Sequence, residues 1–344
     1  MTRWRTYKLR PLTRRQFLRV GAHGLLGGIV AAGAASQAGC QSEVTPAPPA
    51  KIAQGPTPGR ATVVLVRDER ALDADAATRE QVLRAMLDSA LMRLTAQETP
   101  NAAWATFARS GEKIAIKSNV MMRPVHPQLL YAIHAGLLGA GVDDHDIAAW
   151  DRDSAGFGRA ELATMPRRPG FDSDDISNLV THWAAGLVNV TGLKSHWLAG
   201  IGCAIKNWAG AVTNINVQDA GVSYSFHADS CADVGMLNAI PAIRRRCRLV
   251  IVDALHPLFH GGPQVDPRYL WDYRGLVVGT DPVAVDTICE RIIQARRDEF
   301  RGSAWPISPP AKHVRVADVK YGLGVSDPAR IDLVKLGWAQ GALV

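Results

Sequence analysis

The sequence predicts an α/β fold: a largely parallel sheet flanked by helices, Rossmann-like in plan, with a smaller α/β subdomain as an optional addition. Two observations predict it. From residue 61 onward, short apolar runs alternate with stretches of helical periodicity, and strands joined through helices pair in parallel because each crossover returns the chain to the same end of the sheet. Polar side chains also recur directly after the apolar runs, the position from which open parallel sheets bind their ligands and where helix N-termini converge.

ATVVLV, starting at Ala61, is a continuous apolar run of strand length and reads as a buried strand. Val82, Leu83, Met86, Leu87, Leu91 and Leu94 then recur every three or four residues, which puts them on one face of an amphipathic helix. KIAIKSN is a second strand. HPQLLYAIHAGLLGAG is a helix with Pro127 in its first turn, where the missing N–H is not needed, and with Gly139 or Gly141 at its end. DIAAW and LVNVT are the third and fourth strands. DSCADVGMLNAIPAIRRR is mainly helical, and Pro241 kinks or splits it because proline removes an interior hydrogen bond. RLVIVDA and GLVVGT are further strands, the second leading into a helix that opens at Asp281-Pro282. No internal repeat interrupts the alternation.

A chain of 344 residues with 47% hydrophobic content can bury a large core, in one domain or two closely joined ones. Its charge is less informative than it first looks. The 39 basic residues exceed the 32 acidic ones by the seven that lie in residues 1–40: Arg3, Arg5, Lys8, Arg10, Arg14, Arg15 and Arg19. The body is therefore neutral, which excludes a nucleic-acid partner held by a basic surface. Within the leader, Arg14-Arg15 followed by Phe17, Leu18 and a Gly/Ala-rich run matches a twin-arginine export signal, so the translocation machinery for folded proteins is an expected partner. The mature end is set either by cleavage after Ala38 or by a lipid on Cys40, and membrane contact is expected only through that leader or lipid. Residues 41–60 are a Pro-rich linker and residues 61–344 the α/β domain, placed in the periplasm or otherwise outside the cytoplasm. Beyond Cys40 the cysteines are Cys203, Cys231, Cys247 and Cys289. None forms a C-x-x-C pair, so an iron–sulfur or zinc-ribbon ligand set is missing, and both disulfides and buried thiols stay open. No cofactor or metal is identified.

The candidate site residues follow from the strand ends. Lys117 and Asn119, two apart on extended chain, project to one side as an ammonium and an amide. Asp151 and Arg152 follow the third strand, and Lys194 and His196 follow the fourth with the same spacing. A lysine beside a histidine lowers the imidazole pKa and favours a neutral ring usable as a base. Asp253 closes RLVIVDA; Asp281 follows GLVVGT, and Asp286 lies farther into the next helix. Asp281 also has a purely structural account as a helix cap, and His256 and His260 near Asp253 follow no standard metal-ligand spacing. Lys206 and Asn207 sit in a short helix or tight turn among small residues, in a stretch (TGLKSHWLAGIGCAIKNWAG) otherwise made to be buried. Groups that are costly to bury are tolerable there if they meet an anion or internal carboxylates.

Lys-x-His followed by Lys-Asn-x-x-Gly, together with KSNV, HPQLL, VDA…GGP and DPVAVD, resembles the family catalogued as domain of unknown function 362, over nearly all of residues 61–300. The resemblance is to exported members without a ferredoxin extension; Thr191-Gly192-Leu193 stands where many members have a proline. The family has no agreed activity, so the resemblance implies a motif map and not a mechanism. The function expected is an exported protein that binds a small anionic ligand or cofactor, with His196 and Lys194 as catalytic candidates for acid–base chemistry. The alternatives are a non-catalytic delivery protein and a redox accessory protein served by an iron–sulfur partner.

Overall fold

A computed structural model describes residues 59–73, 79–120, 123–151, 176–212, 216–219, 222–225, 227–262 and 264–344. The leader, the linker as far as residue 58, and Arg152 lie outside the described residues. The strands are β1 (Ala61–Arg67), β2 (Ile114–Lys117), β3 (Ile147–Trp150), β4 (Gly186–His196), β5 (Gly200–Gly202), β6 (Asn216–Asp219), β7 (Val222–Ser225), β8 (Cys247–Leu258), β9 (Gly275–Gly279) and β10 (Ile331–Gly337). The helices are α1 (Glu80–Thr95), α2 (Pro100–Ala105), α3 (Pro127–Gly139), α4 (Ala204–Asn207), α5 (Gly235–Asn238), α6 (Pro241–Arg246), α7 (Pro282–Arg301) and α8 (Lys312–Val319).

The fold is α/β. One eight-stranded sheet runs in the order β10-β1-β9-β8-β4-β2-β3, with β5 paired to β4, and β6 and β7 form a separate two-stranded ribbon. Every strand on the main path except β9 runs the same way, since β9 is antiparallel to both β1 and β8. The reversal has a simple cause. Between β8 and β9 the described residues carry only a short 3-10 turn, Pro267–Tyr269, and without a crossover helix the chain re-enters the sheet in the opposite sense.

The apolar patterns find their places. Leu83, Met86, Leu87, Ala90 and Leu91 are the buried face of α1, which lies against β1 and β9 and carries α2 and α3. Pro127 occupies the first turn of α3, and Gly141, with φ of 87°, follows its end. Pro241 begins α6 after α5 has ended at Asn238, the split that a proline imposes. Two strands overrun the expected boundaries. The fourth continues through Lys194 to His196, and RLVIVDA continues to Leu258, so Lys194 and His196 are strand residues and not the first residues of a loop, and Asp253 lies within its strand and not at its close. Between Gly192 and Lys194 the register of β4 against β8 breaks: Gly192 faces Asp253, whereas Lys194 faces Leu258. A bulge of this kind bends the strands and re-aims the side chains beyond it. Past that point β4 pairs with β5, Lys194 opposite Gly202 and His196 opposite Gly200.

The reversed β9 moves Asp281 away from the rim where it was expected. Gly279 pairs with Val63 and Val250, near the starts of β1 and β8, so Asp281 lies at the opposite end of the sheet from Lys117 and Lys194. There it caps α7: Oδ1 accepts from the Val283 and Ala284 N–H groups at 2.8 and 2.9 Å, and Oδ2 accepts from Val325 N–H at 2.9 Å. Replacing Asp281 with alanine strands three buried N–H groups. The expected loss is about 2–4 kcal/mol in urea denaturation.

Candidate functional site

The rim beyond the carboxyl ends of β2, β3 and β4 is built on a lysine with no solvent exposure. Lys117 Nζ donates to Asp151 Oδ1 at 2.9 Å, to the Ser118 carbonyl at 2.6 Å and to Asn207 Oδ1 at 3.2 Å, which occupies all three ammonium protons. The second carboxylate oxygen of Asp151 accepts from Val120 N–H at 3.0 Å. Asn207 Nδ2 donates to Asn189 Oδ1 at 2.7 Å and to the Val190 carbonyl at 3.1 Å, and Asn189 Nδ2 donates to the Ala204 carbonyl at 2.9 Å. This network binds β2, β3, β4 and α4 together. Gly210 is the residue it permits at its edge, because an added Cβ would lie 2.2 Å from Asp151 Oδ1 and 2.6 Å from Lys117 Nζ. Lys117, Asp151 and Asn207 are therefore the floor of the rim, satisfied by one another.

Lys194 is different. It is 5% exposed, yet its amine meets Asn119 Oδ1 at 2.5 Å and the Arg123 carbonyl at 3.4 Å, and among the described residues no carboxylate. Burial, then the nearby Lys206, then Arg123, lower its pKa to about 7, with Asp151 opposing. The stem of Lys194 and the ring of His196 lie over Gly202, whose Cβ would sit 3.5 Å from Lys194 Cε and 3.6 Å from His196 Cδ2. The bare backbone of β5 is what lets both side chains share one face.

His196 accepts Leu198 N–H at Nδ1 at 3.1 Å, so the neutral ring carries its hydrogen on Nε2. Burial first, then Lys206, His227, Lys194 and His313, push its pKa down to about 3. The lysine–histidine proximity acts in the direction expected, but it leaves a ring that donates through Nε2–H far more readily than it accepts a proton. His227 stacks on it with centroids 5.6 Å apart and planes 16° apart, and His227 Nε2 lies 3.2 Å from Lys206 Nζ. After His227 come three consecutive left-handed residues other than glycine, Asp229, Ser230 and Cys231, with φ of 47°, 59° and 60°. Each costs ~1–2 kcal/mol. An ion pair between Lys312 of α8 and Asp229 holds this turn.

His313 is the residue that sequence reasoning missed. It is fully buried on α8, burial and then Lys206 lower its pKa to about 3, and neither ring nitrogen meets a hydrogen-bond partner. Gly200, at φ of 78° where β5 begins after the turn, lies directly against residues 309–311 leading into α8, since a Cβ there would be 2.7 Å from Ala311 N. The turn thus brings α8 to His196. A lone histidine in KHVRVADV carries no spacing signal; only the apolar face of that helix points to burial. Arg123 and His126 were also missed, although HPQLL was noted. His126 pairs through Nδ1 with Asp253 Oδ2 at 2.7 Å, and its N–H donates to the same oxygen at 2.8 Å. Burial raises the Asp253 pKa, but His126 and Arg123 outweigh it and bring the carboxyl down to about 2.

Asp286 is fully buried and accepts from the N–H groups of Ala204 and Ile205 at 2.7 and 2.9 Å. It positions α4, and through it Lys206, without entering the cluster. His260 is turned away toward Arg297 and Tyr269, so it does not join Asp253. All four described cysteines are free thiols. Among the described residues, the set close enough to share one ion is the exposed Asp143 and His145 with the half-buried Asp146, before β3 at the opposite rim.

Residues 145–291 match the family described as Domain of unknown function (DUF362). The match supports the resemblance and is shorter than residues 61–300. It takes in Asp151, Lys194, His196, Lys206, Asn207, Asp253, Asp281 and Asp286, and leaves Lys117 and Asn119 before its start. No curated protein and no solved structure matches the chain.

The two buried lysines are separable by stability. Lys117→Met leaves Asp151 without its partner and is expected to cost about 3–5 kcal/mol. Lys194→Met removes an amine whose charge burial disfavours, so stability at pH 7 should be equal to or above wild type. Because the folded pKa of Lys194 is about 7 against an ordinary 10.5, the wild type gains stability relative to Lys194→Met as pH rises through that window. Urea denaturation across pH 6–10 measures both; a flat difference would refute the assignment of Lys194.

Proposed function

We propose that the protein binds a small anionic molecule, or a cofactor bearing a carboxylate or phosphate, at the cluster of Lys194, Lys206 and His196 beyond the strand ends. One observation carries this reading: Lys194 is buried beside two other cationic groups, Lys206 and Arg123, and among the described residues its partners are only neutral oxygens. An ammonium in that setting gains most from an external anion. The donors for it are the amines of Lys194 and Lys206 and the Nε2–H of His196. The orphan imidazole of His313 adds a buried polar group that a ligand can satisfy. A cation is disfavoured by the lysines, and His196, His227 and His313 do not stand within reach of a shared ion.

Anion binding favours the ammonium form of Lys194 and raises its pKa, so complex formation takes up a proton above pH 7. Affinity is highest below pH 7 and declines as pH rises through that value. Native mass spectrometry of the gently desalted protein should reveal the ligand. Titration calorimetry with phosphate and acetate should show affinity falling from pH 6 to pH 9. Lys194→Ala and Lys206→Ala should each lose about tenfold or more. Affinity that neither pH nor these substitutions changes would place any binding elsewhere.

We propose further that the chain is exported in folded form, as a member of the exported subgroup of the family. The support is Arg14-Arg15 and the Gly/Ala-rich run behind them. Replacing both arginines with lysine should hold the full-length protein in the cytoplasm, which fractionation would detect; unaltered export would argue for another route.

A further inference from the structure

We infer that His126, positioned by Asp253, is a general base that activates water against a carboxylic ester whose own carboxylate is held at the anion site. The inference rests on the anion-binding reading and gives the rim a reaction.

The rim carries two histidines of opposite tautomer. His196 accepts an N–H at Nδ1 and presents Nε2–H, a donor. His126 is the reverse. Its Nδ1 lies 2.7 Å from Oδ2 of the buried Asp253. Burial works against ionisation of that carboxyl, but His126 and Arg123 outweigh it. An ionised carboxylate only accepts, so the neutral ring carries its hydrogen on Nδ1 and its lone pair on Nε2. Nε2 has no hydrogen-bond partner among the described residues, and the side chain keeps 16% exposure, so solvent reaches the ring. A carboxylate that fixes the tautomer and orientation of an imidazole whose other nitrogen stays open is the pairing of base and orienter found in catalytic triads. Local structure does not require the ring. Asp253 also accepts the N–H groups of His126 and Leu255 at 2.8 and 3.1 Å, and those bonds fix the entry to α3.

Base and anion site lie side by side. Asp253 pairs across the sheet with Gly192, where a Cβ would lie 3.5 Å from the Arg123 carbonyl oxygen, and Lys194 Nζ lies 3.4 Å from that same oxygen. The Arg123 guanidinium donates through Nε and Nη2 to the His256 carbonyl, and Nη1 has no partner among the described residues. Carbanion chemistry calls for a base kept dry; a ring within reach of solvent is suited to water. In the step itself, the Lys194 ammonium holds the carboxylate of the substrate and keeps its protons throughout, while Arg123 supplies positive charge for the ester oxygen. The water oxygen bonds to the acyl carbon as the C–O π pair moves onto the carbonyl oxygen, and one water proton passes to His126 Nε2. The carbonyl then re-forms, the C–O bond to the alcohol breaks, and the departing alkoxide takes the proton from Nε2. The products are an acid and an alcohol, and water is the sole co-reactant.

The test uses the full chain with acetylsalicylate, an ester that carries a carboxylate, and follows salicylate fluorescence at pH 7. The expected result is saturable hydrolysis that acetate inhibits competitively. His126→Gln should lower kcat by about 100-fold or more, the loss expected of a general base, with KM and the calorimetric affinity for acetate near wild type. Asp253→Asn should lower kcat by a similar factor without raising KM, because an amide no longer fixes the hydrogen on Nδ1. His126→Asn, a residue suited to a helix start, takes the place of the glutamine variant if that one fails to fold. Acetate that binds while acetylsalicylate is hydrolysed no faster than in buffer overturns the base and leaves the anion reading standing, as does hydrolysis that both His126 variants leave unchanged. Failure of both acetate and acetylsalicylate to bind overturns both.

Discussion

A lysine removed completely from water must meet a compensating charge, and the pairing of Lys117 with Asp151 is the constraint around which this rim is arranged. It joins the end of β2 to the residue after β3. Through Asn207 and Asn189 it fixes α4 against β4, and Gly210 is required where the chain passes over it. An uncompensated buried charge costs several kcal/mol, which is why the neighbouring polar atoms are spoken for so fully. Lys206 is placed as a by-product. It precedes the asparagine that the network anchors, and Asp286 secures the same short helix from the other side.

Much of the fold was legible because periodicity reports burial directly. The stripe from Leu83 to Leu91, the proline that opens α3 and the proline that splits α5 from α6 each stand where local physics puts them. What escaped depends on pairing over distance. Nothing local in GLVVG tells that it runs backwards; the cause lies in the missing crossover before it. The extension of β4 through Lys194 depends on β5, three residues whose only local signal is glycine. IDLVKLG, the edge strand β10, is half-exposed and weakly patterned, and it is stabilised by pairing with β1.

The site was legible in its chemistry and less so in its assignments. Lys117-x-Asn119 and Lys194-x-His196 look alike along the chain, two polar residues with one spacing. Among the described residues one lysine is paired with a carboxylate and the other is not, and the partner that decides this, Asp151, is distant in sequence. Asp281 and Asp286 were both drawn toward the site by their proximity to a strand end, yet each serves backbone N–H groups. His313 had no motif to betray it, because the turn before Gly200 and not sequence spacing brings its helix alongside His196.

Three aspartates that accept from N–H groups at helix starts have a joint effect. Asp253 accepts the N–H of His126, just before α3, Asp286 accepts those that open α4, and Asp281 accepts those that open α7 at the far end of the sheet. In many α/β proteins these positive helix ends are what greets a phosphate, with a partial charge that no pH change can remove. Here a buried carboxyl already occupies those N–H groups, and burial raises the pKa of Asp281 to about 6 and that of Asp286 to about 7. If the rim holds an anion as proposed, the attraction falls to amines, which can lose their protons, so its grip is adjustable by acidity in a way that a dipole-based cradle is not.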